Sequence, residues 1–174
     1  MIQFLITFLI IMALHELSHI MVAKLFGMPI KKIGFTLKPL PHVYVSASDN
    51  GLSMYRTTLF MLSGNITTII LFLISTLNFS INEFIYYAFA FQLIIEMNPF
   101  YSDYSLLFSN IKVRSEIKNS FVKYRKYPTK EDLNTLYKQS FENHWCSKEW
   151  YIHLFVWMVI IIILLSPKYI LSTI

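Results

Sequence analysis

The run MIQFLITFLIIMALHELSHIMVAKL, residues 1–25, constrains the fold more than any other part of the chain. Crossing about 30 Å of hydrocarbon takes roughly 17 to 25 helical residues, and this run is that long. Gly27 and Pro29 then end the helix. Three further apolar runs follow at about 57–77, 84–100 and 151–171, of which the one at 84–100 is short for a crossing. Hydrophobic residues make up 55% of the chain and charged residues only 14%, a balance well outside ordinary soluble usage. The expected fold class is therefore an all-α integral membrane protein with about four transmembrane helices. The first run lacks the make-up of a cleaved secretory signal, because no Lys or Arg precedes it and its most unusual residues lie deep inside it. With one cysteine, Cys146, no disulfide can form within the chain.

The net charge of +5 is a statement about topology. Lys24, Lys31, Lys32, Lys38 and Arg56 lie around the connection between the first two runs. Nine more basic residues lie within 103–150, and only Lys168 falls elsewhere. Four alternating crossings put both basic segments on one side, which the positive-inside rule makes cytoplasmic. The expected location is the cell membrane, multi-pass, with the N-terminus, the turn near 78–82 and the C-terminal tail outside. Lipid bilayer is thus an expected partner and nucleic acid is not.

Between the runs, IKKIGFTLKPLPHVYVSAS mixes β-branched and aromatic residues with Gly and Pro breaks, so a short β-hairpin is expected at about 28–50. The basic segment reads as two polar helices parted at Pro128, with Thr129 and Asp132 in the spacing of a helix start. The chain divides on this reading into a membrane core at 1–103 that includes the hairpin, a cytoplasmic basic helical segment at 104–150 and a fourth transmembrane helix at 151–174.

Inside the first apolar run stands HELSH. On a helix His15 and His19 project from one face about one turn apart, so both imidazoles can reach one metal at roughly 2.0 to 2.1 Å. Glu16, offset by about 100°, is close enough to touch a water on that metal. A zinc hydrolase needs this set: two neutral nitrogens hold Zn²⁺, and a carboxylate takes a proton and returns it to the leaving amine. The alternative is a polar cluster that merely ties helices together, since ionisable groups in lipid face a bundle interior and find partners. A zinc site with one open position needs a third protein ligand. Asp103 lies at matching membrane depth, just after the helix break at Pro99. Glu96 is a second buried carboxylate, read as a supporting partner or a protonated bystander, and Asp49 is the next candidate on the same side. His42, His144 and His153 lack ligand spacing. Asn98 reads either as a donor to a substrate carbonyl or as a cap on the broken helix. Asn65 beside Gly64 reads as helix-helix glue or as a site residue.

HELSH, SGNITT in the second run and NPFYSD at the end of the third together resemble the site-2 protease family of intramembrane zinc metalloproteases, over roughly residues 10–110. The resemblance implies His15, His19 and Asp103 as zinc ligands and Glu16 as catalytic base. It also implies three helices carrying the site and a membrane-associated sheet between the first two. A strand edge near 43–46 would then bind an extended peptide by strand addition. HELSHIMVAKLFGMPIKKIGF, PHVYVSASD and NPFYSDYSLLFSN are similar to the small bacterial branch encoded beside modified or secreted peptides. The expected function is hydrolysis of a membrane-associated or membrane-inserted peptide, in maturation of a secreted or modified product. The alternative is a non-catalytic immunity or export partner that retains the metal site. Two positions depart from the family pattern: Tyr104 stands where Gly usually follows the metal-binding Asp, and Gly64-Asn65 stands for the usual Gly-Pro.

Overall fold

The computed structural model describes residues 1–36, 42–47, 53–78, 82–124 and 129–166. The elements run α1 (Ile2–Leu25), β1 (Ile30–Thr36), β2 (His42–Ala47), α2 (Met54–Asn78), α3 (Glu83–Glu96), α4 (Asp103–Tyr124), α5 (Lys130–His144) and α6 (Lys148–Leu165). They form two compact units, Met1–Glu96 and Met97–Ile174. Asp49, Pro128 and the end of the expected fourth helix fall outside the described residues.

In the first unit, α1 ends where chain geometry requires. Gly27 takes the left-handed conformation with φ 65°, its N–H donates to the Lys24 carbonyl, and the Met28 N–H donates to the Ala23 carbonyl at 2.8 Å. These two bonds satisfy carbonyls that the helix end leaves open, and Pro29 prevents further winding. The expected hairpin forms just beyond: β1 and β2 pair antiparallel from Ile30↔Ala47 to Thr36↔His42, with an irregularity between Ile30 and Lys32. Gly34 lies opposite Tyr44, whose ring occupies the space a side chain at 34 would need. Among the described residues the sheet has two strands, and β2 also contacts α1.

Helices α1, α2 and α3 pack on one another. Ile11, Ala88 and Phe89 form their apolar core, flanked by Phe4, Phe8, Leu71, Phe72 and Ile85. Ala23, Ala88 and Ala90 are fully enclosed, and small residues at such contacts let helix backbones approach closely. The burial pattern of α1 is inverted relative to a soluble helix: Leu5, Leu9, Leu17 and Met21 are exposed while His15 and His19 are buried. Polar groups inside and leucines outside is the arrangement a lipid solvent dictates.

The second unit begins where α3 stops. The sequence reading carries the third apolar run to about residue 100, but the helix ends at Glu96 after 14 residues, a rise of about 21 Å. Pro99 explains the early stop, because its ring opposes the carbonyl four residues back and it disfavours helical geometry at Asn98. Asn98 Oδ1 then accepts from the N–H groups of Phe100 and Tyr101 at 2.9 and 2.8 Å, and His153 Nε2 from α6 meets the Met97 carbonyl at 2.9 Å. Ser102 caps α4, its Oγ accepting from the Ser105 N–H. The Phe100 ring lies edge-on to Trp145 and Trp150, each at 5.7 Å. The two polar helices of the basic segment are α4 and α5, in contact with each other and linked by Ser140 Oγ donating to the Ser109 carbonyl.

Among the described residues three helices are long and apolar enough to cross a membrane: α1, α2 and α6. That is the make-up of a membrane protein. The short α3 is not among them.

Candidate metal centre

His15 and His19 lie one turn apart on the buried face of α1. Their Nε2 atoms face each other at 3.2 Å. What surrounds the other ring nitrogens decides where the protons are. His19 Nδ1 is 2.7 Å from the Phe60 carbonyl of α2, and Ser63 Oγ lies 3.0 Å from the same nitrogen while donating to that carbonyl. A carbonyl only accepts, so the His19 proton is on Nδ1 and its Nε2 presents a lone pair. His15 Nδ1 is 2.7 Å from Glu96 Oε1, a close contact off the line of a straight N–H···O bond. That oxygen also receives the Thr68 hydroxyl and the Gln92 amide, each at 2.7 Å.

With His15 neutral and protonated on Nδ1, two Nε2 lone pairs oppose each other in a buried site. The alternative, an Nε2–H···Nε2 bond, either presses a His15 Nδ1 lone pair against a carboxylate oxygen or makes His15 an imidazolium paired with Glu96. A cation between the two nitrogens, a proton or a metal ion, relieves the opposed lone pairs. Ligands at roughly 2.05 Å from a tetrahedral zinc stand about 3.3 Å apart, which matches the observed 3.2 Å. The spacing of the two nitrogens is one that a metal ion such as Zn²⁺ accommodates.

Gly64 of α2 sits directly against the His15 ring, and any Cβ there would run into it. Asn65 beside it is fully buried. Glu16 follows His15 on α1 and is half-buried. Glu96 approaches His15 from its Nδ1 side, and so does not occupy the gap between the two Nε2 atoms.

The remaining candidates belong to the second unit. Asp103 is half-buried in the first turn of α4, where an acidic group also suits the helix dipole. Asn98 forms the turn bonds described above. Any oxyanion contact would fall to its Nδ2. Tyr104 stands edge-on to His153 at 6.0 Å. His144 is enclosed and stacked on Phe108 at 5.8 Å. Desolvation lowers its pKa below the ordinary histidine value, aided by Lys112 and His153 and opposed by Glu149.

No protein-family model, curated protein or solved structure matches this chain. Two imidazoles with each Nδ1 against an oxygen atom, one carboxylate on the neighbouring position and a polar surround buried among apolar helices can hold a metal and move a proton. Sequence reasoning singled out His15, Glu16, His19 and Glu96. Ser63 and Thr68 lie at the ends of the SGNITT motif but had no role of their own, and Gln92 went unremarked, although polar residues within apolar runs were a signal for all three.

Proposed function

We propose that this chain is a multi-pass intramembrane zinc metalloprotease that hydrolyses a membrane-associated or membrane-inserted peptide. The observation that carries the reading is the pair of opposed Nε2 atoms on an apolar helix, each with its Nδ1 against an oxygen acceptor. His15 and His19 are two zinc ligands on this reading and Asp103 is the third, supported by its setting after the Pro99 break and by the resemblance of NPFYSD to the site-2 protease motif. Zinc, when bound, supplies Lewis acidity at neutral pH. Glu16 accepts the proton of the attacking water and delivers it to the leaving amine. Asn98 is the proposed donor to the substrate carbonyl oxygen. The edge of β2 offers main-chain groups to an extended peptide, which would expose the bond that a helical substrate hides.

Glu16→Gln separates chemistry from binding, since it keeps the size of the side chain and both histidines. The purified variant should hold about as much zinc as the parent and lose peptide cleavage by about 100-fold or more. Undiminished cleavage would remove Glu16 from the mechanism. A parent protein that binds zinc but cleaves no membrane peptide would favour the non-catalytic partner.

A further inference from the structure

We infer that Glu96 is a positioning residue for the metal centre, held in place by Thr68 and Gln92, and that it sets which nitrogen of His15 is offered to a metal. The inference rests on the zinc-site reading above and deepens it. A histidine ring has two nitrogens that can ligate, and the hydrogen on one decides the availability of the other. His19 is fixed by a backbone carbonyl, which no substitution at that position removes. His15 differs on its Nδ1 side. Its Nδ1 instead faces a side chain from another helix, the Glu96 carboxylate at the end of α3.

That carboxylate is itself fixed from two directions. Thr68 on α2 donates to Oε1, as does Gln92 one turn earlier on α3. The four residues His15, Thr68, Gln92 and Glu96 are all buried, and they join α1, α2 and α3 around one oxygen atom. The other side of the His15 ring is limited by Gly64. With Glu96 at Nδ1 and the Gly64 backbone along the ring, His15 has one orientation, and it directs Nε2 at His19. Partners of this kind fix ring tautomer and direction, and their loss typically costs about 10 to 100-fold in metal affinity. Glu96 lies on the Nδ1 side of His15, away from the Nε2 gap.

The test uses full-length protein in detergent and two readouts. The first is zinc affinity, by competition with a chromophoric chelator. Glu96→Ala should weaken it by about 10 to 100-fold. Glu96→Gln, whose amide oxygen can still accept from Nδ1, should recover part of the loss. The double variant Thr68→Val with Gln92→Leu leaves Glu96 in place without its two donors, and should fall between the parent and Glu96→Ala. The second readout is the tautomer of His15 in metal-free protein, from its ring ¹⁵N shifts. Nδ1–H should dominate in the parent, and Nε2–H should gain population in Glu96→Ala while His19 stays unchanged. Parental affinity and an unchanged His15 tautomer in Glu96→Ala would overturn the role of Glu96 and leave the zinc site standing. A parent that fails to bind zinc would instead sink the metal reading, with the tautomer experiment still deciding whether Glu96 orients His15. Should Glu96→Ala fail to fold, Glu96→Gln and the double variant decide: parental values in both overturn the inference.

Discussion

Gly64 shows how much of the proposed site depends on single atoms. Its missing side chain is the space that the His15 ring occupies, so Gly64→Ala must displace either the ring or helix α2. Overpacking of this kind typically costs about 1 to 3 kcal/mol. The expected outcome is a lower unfolding temperature together with weaker zinc binding, measured on the same preparation. Full metal affinity in a destabilised Gly64→Ala protein would mean that the ring position is not needed for binding. At this scale the sequence was legible where spacing within one helix carries the message, as for His15 and His19. It was not legible where the partner comes from another helix. Nothing in HELSH announces that Glu96 meets one ring and the Phe60 carbonyl the other, because helix packing sets those neighbours.

At the scale of elements, the end of α3 is where the sequence reading and the structure part. Proline at 99 announced a break, but the helix stops at Glu96. The released groups find substitutes: Asn98 Oδ1 for the N–H groups of Phe100 and Tyr101, and His153 for the Met97 carbonyl. Asn98→Ala should therefore cost about 0.5 to 2 kcal/mol of stability, the usual loss when an Asn cap is removed, and should leave zinc content unchanged. Thermal unfolding and elemental analysis check the two halves. If cleavage falls far more than stability accounts for, the proposed contact from Nδ2 to the substrate is supported; if it falls only in step with stability, Asn98 is a turn residue. The end of α1 was legible by contrast, since Gly27 and Pro29 act locally and need no distant partner. The hairpin was legible in place and type, and its register emerges only from pairing across the turn.

On the scale of the whole molecule, composition foretold a membrane protein, and the inverted burial of α1 and the three long apolar helices among the described residues agree with it. The number of crossings is a different matter, because α3 with its 14 residues is shorter than a hydrocarbon core. A four-crossing chain puts the basic segments around Lys38 and Lys126 on the cytoplasmic side and Lys168 outside. If α3 does not cross, a reporter near Lys126 reads outside and one after Lys168 reads inside. Reporter fusions at the three positions distinguish these arrangements, and we expect the first. The central claim is that His15 and His19 share a bound zinc ion. Zinc per chain, measured by elemental analysis on protein purified without added metal, tests it most directly. The account predicts about one zinc for the parent and almost none for His19→Ala in the same detergent; a metal-free parent, or full occupancy in His19→Ala, would contradict it.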